Sequence, residues 1–172
     1  ASDVYKRQIG ALRAERDLAL AKQAQQRGDL TAARSSLERA MSNDPQSPWV
    51  RLDLARIYLQ MGAPDQARNL MANMLTAGPA TAESLYASAL FASETADWPT
   101  TLSLLERIPA QNRTTDMGAL QRRAWVHAQA KQATALAQQG RTQEAINLLN
   151  QARGFAGQDN ELMGVVLSLI HI

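Results

Sequence analysis

The sequence predicts an all-α fold, a right-handed solenoid of antiparallel helix pairs, on three observations. A short punctuation that opens on Gly or Ala returns along the chain, its first three occurrences at a fixed interval. Small side chains recur at helical spacing on both sides of it. Val, Ile, Thr and the aromatics form no sustained alternating run of the kind a half-buried strand needs.

The punctuation is Gly28-Asp29-Leu30-Thr31-Ala32-Ala33, Gly62-Ala63-Pro64-Asp65-Gln66-Ala67, Ala96-Asp97-Trp98-Pro99-Thr100-Thr101 and Gly140-Arg141-Thr142-Gln143-Glu144-Ala145. The first three stand 34 residues apart and the last 44. A period of 34 is that of the tetratricopeptide class, an alpha-alpha superhelix in which each unit is one helix-turn-helix. Gly28, Gly62 and Gly140 suit the end of a first helix, where a left-handed residue is needed. Asp29, Asp65 and Asp97 stand near the start of the second helix, where a carboxylate can cap free amides, and Pro99 fits a first turn that requires no donor.

On this register Leu20, Ala21 and Ala24 share a face before the first turn, and Ala33, Leu37 and Ala40 share one after it. The second unit repeats the pattern with Leu54, Ala55 and Tyr58, then Ala67, Met71 and Met74. Ala21, Ala33, Ala55, Ala67, Ala89 and Ala145 let helices approach closely, while Leu37, Met71, Leu105 and Leu149 fill the space between units. Tyr58 takes the position that touches the second helix of its own pair.

The helix pairs expected are 12–26 with 31–43, 48–60 with 65–77, 82–94 with 99–107, and 116–138 with 142–153, a further helix beginning near Asp159. Three repeat units then occupy 12–45, 48–79 and 82–108. The ten extra residues fall in a linker at 109–115 and in the long leading helix of a fourth unit, 116–153. A last segment, 154–172, starts another helix. No unit buries its apolar stripe alone, so stability comes from stacking, and uncovered end faces are an expected route to a homodimer.

Composition limits the chemistry. There are 18 Lys and Arg against 16 Asp and Glu, an ordinary surface balance that gives nucleic acid no special hold. Cysteine is absent, which removes disulfides and thiolate metal clusters. The longest apolar stretch, 163–172, is interrupted by Gly164, Ser168 and His171 and is too short to span a bilayer, so no membrane insertion of this segment is expected. The runs at 3–8 and 167–172 resemble translated flanking sequence, so residues 1–11 are expected to be a non-native or disordered lead. The chain is accordingly expected to be an internal piece of a longer protein, and the absence of a leader pattern in 1–10 carries no information.

Beyond the general repeat, residues 12–153 resemble part of the periplasmic tetratricopeptide region of the bacterial cellulose synthase operon protein C family. The resemblance rests on Ala40-Met41-Ser42-Asn43-Asp44-Pro45, on Trp49-Val50-Arg51-Leu52-Asp53-Leu54-Ala55-Arg56 with Tyr58, and on Leu105-Glu106-Arg107-Ile108-Pro109 with the linker after it. It implies a periplasmic array, part of an outer-membrane-anchored protein, that guides nascent cellulose toward an export barrel and contacts other subunits of the machine and the cell wall peptidoglycan.

In such an array the first helix of each pair lines the groove. That places Leu18, Lys22, Gln25 and Gln26 there from the first unit, Trp49, Leu52, Asp53, Arg56 and Gln60 from the second, Glu83, Tyr86, Leu90 and Glu94 from the third, and His127, Ala130, Lys131 and Thr134 from the fourth. The candidate ligand-binding set is Trp49, Asp53, Arg56, Gln60, Glu83, Tyr86 and Lys131, aromatic faces for stacking and polar groups for hydroxyls or peptide amides. Against it, Trp49 and Tyr86 each begin a helix, where packing between units is the commoner role, and Trp98 belongs over its own turn. Arg113, Arg122, Arg123, Lys131 and Arg141 form a local basic patch, opposed by Asp116 and Glu144.

No catalytic residue, metal site or cofactor is expected. The histidines, His127 and His171, lack ligand spacing, and the carboxylates Asp53, Glu83 and Glu94 sit on scattered positions rather than as a glycosidase pair. A non-catalytic scaffold of an exopolysaccharide export complex is therefore the leading expectation. A peptide-binding adaptor of the same fold and a periplasmic glycosidase-like or accessory enzyme built on helical repeats are the alternatives.

Overall fold

A computed structural model describes residues 2–76 and 78–169. Among the described residues the chain forms nine α-helices, one 3-10 turn and no strand. The helices are α1 Ser2–Gln26, α2 Leu30–Asn43, α3 Pro48–Gln60, α4 Pro64–Thr76, α5 Ala82–Glu94, α6 Trp98–Glu106, α7 Thr115–Gln138, α8 Thr142–Ala156 and α9 Asn160–Leu167, with the 3-10 turn at Ala110–Asn112. They form two compact units, residues 1–91 and 92–172, the division falling inside α5.

The four punctuations adopt one geometry. At Gly28, Gly62 and Gly140 the φ angle is 74°, 74° and 76°, and Ala96 takes the same place at 57°. In each, the next residue donates its amide to the carbonyl five positions back: Asp29 to Ala24 at 2.9 Å, Ala63 to Tyr58 at 2.8 Å, Asp97 to Ala92 at 2.8 Å and Arg141 to Leu136 at 2.9 Å. This is the 6→1 bond of a Schellman ending, which satisfies a carbonyl that the helix leaves open. Asp29 and Asp97 then cap the following helix, accepting from the amides of Ala32 at 2.9 Å and Thr100 at 3.2 Å. Asp65 departs from the expected cap: it lies inside the first turn of α4, and its carboxylate accepts from Arg68 at 2.6 Å.

In the first unit α1 packs on α2 and α3 on α4, with α2 also against α3. Ala33, Ala40, Ala55, Ala67 and Ala87 have no exposed surface, as close helix approach requires. Helix α3 has two buried sides. Leu54 and Ile57 join Ala21, Ala24, Ala33 and Leu37, whereas Leu52 and Ala55 join Ala67, Met71, Ala87 and Phe91. Each fully buried Leu or Ile contributes about 1.5–3 kcal/mol relative to exposure. Two such faces on one helix leave only a narrow stripe for solvent.

Two expectations change here, and a third, the contact of Tyr58 with its own second helix, gains a further partner. Helix α1 begins at Ser2 rather than at 12, because nothing in residues 2–11 breaks a helix; Gly10 sits where a Cβ would stand 2.8 Å from the carbonyl oxygen of Asn43, so the glycine permits α1 to pass the end of α2. Leu20 is 39% exposed rather than sharing the buried face of Ala21 and Ala24, since the neighbouring position on a helix points about a quarter-turn away. Tyr58 borders both core clusters, and its hydroxyl donates to Glu38 of the preceding pair at 3.2 Å, which ties successive units together. Burial, and then the charge of Glu38, raises the Tyr58 phenol above its ordinary value.

In the second unit α7 packs against α6, α8 and α9. Its core gathers Val126, Ala133 and Leu136 with Ala145, Leu149, Ala152, Ala156, Leu162 and Val166. Helix α8 runs to Ala156, three residues beyond expectation, and Asp159 caps α9 on the amides of Glu161 and Leu162. The linker is tied down locally: Arg113 donates to the carbonyls of Ile108 at 2.9 Å and Glu106 at 3.1 Å.

Candidate functional site

On the first unit, Ser47 caps α3 by accepting from the Val50 amide at 3.4 Å, and Pro48 occupies the first turn, which places Trp49 at the head of the helix. Trp49 meets Tyr86 of α5 edge to face, with ring centroids 6.0 Å apart and planes at 81°. This is the favoured quadrupole geometry for an aromatic pair. Trp49 nevertheless stays 40% exposed, so packing and presentation to solvent coexist in one side chain.

One and two turns farther along α3, Asp53 and Arg56 form an ion pair at 3.1 Å, both partly open to water. Asp53 also edges an open recess of about 390 Å³ whose other walls include Leu18, Lys22, Gln25 and Leu37. Gln60, at the end of α3, and Glu83, in the first turn of α5, are both exposed. The structure thus brings Trp49 to Tyr86 and Asp53 to Arg56, with Lys22 and Gln25 near Asp53. Leu52 does not belong there: it is 1% exposed and points into the core between α3, α4 and α5. Helical projection alone cannot tell which stripe of a doubly packed helix remains free.

In the second unit one expected groove position, Ala130, is buried, His127 and Thr134 are half-buried, and Lys131 is exposed. Ala130 is 4% exposed, and the Thr134 hydroxyl donates to the Ala130 carbonyl at 3.1 Å. His127 lies against Trp98, with ring centroids 4.2 Å apart and planes at 11°, so Trp98 covers a histidine of α7 rather than its own turn. The Nε2 of His127 is buried and has no hydrogen-bond partner among the described residues. Burial first, then the charge of Arg123, lowers its pKa below the ordinary histidine value, with Glu161 opposing. His171 lies outside the described residues. Lys131 is exposed, and among the described residues no hydrogen bond or ion pair engages it.

The basic patch does not hold together as a free surface. Arg113 is spent on backbone carbonyls, Arg123 pairs with Glu161 at 3.5 Å, and Arg141 grips Glu144 with two bonds of 2.7 and 2.6 Å. The Arg141 hydrogen bonds hold the Glu144 carboxyl below its ordinary value. Arg122 remains exposed, at the rim of a different feature that the sequence reading missed. There Trp125 and Phe155 pack with centroids 4.6 Å apart and planes at 40°, beside an open recess of about 290 Å³. The stripe Gly118, Gln121, Arg122 and Trp125 on α7 was legible from its spacing; the partner on α8 was not.

Among the described residues no three His, Asp or Glu side chains gather closely enough to hold a metal ion, and no helix is long and apolar enough to cross a membrane.

Comparison with known proteins places this geometry in context. Models described as tetratricopeptide repeat match residues 24–90 and 126–151, together just over half the chain. The chain is 45% identical over 138 residues to cellulose synthase operon protein C of Xanthomonas axonopodis pv. citri (strain 306), covering 80% of this chain and 9% of that protein. It is 35% identical over 158 residues to cellulose synthase operon protein C of Pseudomonas fluorescens (strain SBW25), covering 92% of this chain and 12% of that one. Cellulose synthase 2 operon protein C of Komagataeibacter xylinus is 37% identical over 101 residues, 59% of this chain and 8% of the relative. The chain spans about a tenth of the length of the curated relatives it matches.

Proposed function

We propose, on the premise that this chain belongs to the tetratricopeptide-repeat family and is homologous to bacterial cellulose synthase operon protein C, that it is a non-catalytic scaffold segment of a cellulose synthesis and export complex. It works in the periplasm as part of a longer, outer-membrane-anchored protein, docks other subunits of the machine, and guides the glucan toward an outer-membrane pore.

The observation that carries the glucan part is the α3 face. Trp49, held by Tyr86 and 40% exposed, offers an aromatic surface to the C–H face of a sugar ring. Asp53 and Arg56 lie on the same side of the helix and supply an acceptor and a donor for hydroxyls. A groove that guides a polymer must bind weakly and repeatedly, and a shallow, partly solvated surface meets that need better than an enclosed pocket.

The test is titration of the purified chain with cello-oligosaccharides, followed through the Trp49 indole resonance. Saturable shifts that weaken in Trp49→Ala and Arg56→Ala support the reading. Silence up to millimolar sugar, together with saturable binding of an extended peptide on this face, transfers the site to a peptide adaptor. Turnover of a glucan or wall substrate that a carboxylate replacement abolishes would overturn the non-catalytic assignment.

A further inference from the structure

The recess of the second unit is built from three helices. Leu102 and Glu106 come from α6, Gly118, Gln121, Arg122 and Trp125 from α7, and Phe155 from α8. The four α7 residues follow i, i+3, i+4, i+7, one continuous stripe of a helix whose Leu120, Ala124 and Val126 serve the core instead. Trp125 borders that core, whereas Gly118 and Arg122 are exposed, so core packing accounts for only part of the stripe.

An exposed aromatic pair distinguishes it from an ordinary solvated face. Phe155 is 53% exposed although it packs on Trp125, so a large apolar surface is kept in water beside a second aromatic ring. Covering it would be favourable, because apolar surface gains by leaving water. At the head of the stripe Gly118 is exposed, and a Cβ there would meet no atom within 4 Å, so a larger side chain can be added without a clash.

The polar groups narrow the ligand. No hydrogen bond or ion pair among the described residues engages the side chains of Glu106, Gln121 or Arg122. They offer an acceptor, a group that both accepts and donates, and a multiple donor. The formal charges of Glu106 and Arg122 cancel, so an anionic or cationic polymer gains little net attraction at this rim. Hydroxyl groups each donate and accept, and they match all three. A ligand with flat C–H faces and uncharged hydroxyl edges satisfies the aromatic floor and the mixed rim together. The recess, about 290 Å³, lies near the lower end of the roughly 300–1,000 Å³ of ligand pockets, which suits a short stretch of a chain.

We propose that Trp125, Phe155, Glu106, Gln121 and Arg122 form a second sugar-binding site, specific for an uncharged glucan and separate from the α3 face. The identity of the polymer rests on the glucan reading above; the site itself rests on this recess. Phe155 and Trp125 supply the stacking surface, and Arg122 and Glu106 hold the hydroxyl edges.

The test uses cellohexaose and the full 172-residue chain, with the three indole N–H resonances read separately in a ¹⁵N–¹H spectrum. The Trp125 signal shifts saturably at millimolar sugar in the unsubstituted chain. Phe155→Ala weakens that response at least fivefold. Gly118→Leu removes it while the helical circular dichroism and melting profile are retained, because the added side chain enters open space and leucine favours helix over glycine. A Trp125 signal that stays still, or one that responds unchanged in Gly118→Leu and Phe155→Ala, overturns the proposal. A shift at Trp125 with silence at Trp49 upholds this site and defeats the α3 reading; the reverse pattern defeats this site alone.

Discussion

His127 lies flat on the indole of Trp98, ring centroids 4.2 Å apart, with its Nε2 buried and without a hydrogen-bond partner. The imidazole joins α7 to the first turn of α6, and among the described residues nothing accepts a hydrogen bond from its Nε2.

The pH dependence follows from that environment. Burial, the largest cause, and Arg123 lower the folded-state pKa of His127 below its ordinary value of 6.5, while Glu161 raises it. The unfolded chain therefore binds more protons than the folded one just below pH 6.5, and stability must rise with pH there. The stabilising contribution is complete above the unfolded value and declines as pH falls through that window toward the lowered folded value. Urea midpoints measured between pH 7.5 and 5 should drop more steeply for the natural chain than for His127→Gln. Equal slopes would mean that the ring is solvated.

Ala67 is fully buried between α3, α4 and α5, touching the cluster of Leu52, Ala55, Met71 and Ala87. Ala67→Leu adds three carbons where no room exists and should destabilise the first unit by about 1–3 kcal/mol through overpacking. Chemical denaturation reads the loss; an unchanged midpoint would show that the α3–α4 contact is looser than described.

Ala96 holds the left-handed position that glycine holds at the three other punctuations, with φ at 57°. An L residue there is strained by about 1–2 kcal/mol, partly offset by the larger unfolded-state entropy of glycine. Ala96→Gly should accordingly stabilise by about 0.5–1 kcal/mol, seen as a higher denaturation midpoint. The opposite change, Gly62→Ala, should destabilise.

Trp49 and Tyr86 provide a direct measure of coupling between successive first helices. A double-mutant cycle with Trp49→Ala and Tyr86→Ala should return an interaction energy of about 0.5–1.5 kcal/mol. A value near zero would mean that the edge-to-face contact contributes nothing and that Trp49 serves presentation alone.

The order of helices, the turn geometry and the small-residue seams were legible in the chain because each depends on a local or periodic constraint. A left-handed residue must recur at each turn, and a Cβ larger than alanine cannot fit where two helices nest. Ala33, Ala55, Ala67 and Ala145 are buried for that reason, at 0%, 0%, 0% and 4% exposure. Which face of each first helix stays open was not legible. Leu52 and Ala130 share the helical stripe of Asp53 and Lys131 closely enough for projection to mix them, yet the crossing of neighbouring helices buries one member of each pair and leaves the other in water. The pairings of His127 with Trp98, Trp125 with Phe155, and Arg123 with Glu161 likewise join residues distant in the chain. Periodicity specifies the direction of a side chain from its own helix axis; only the packing angle of the next helix decides what that side chain meets.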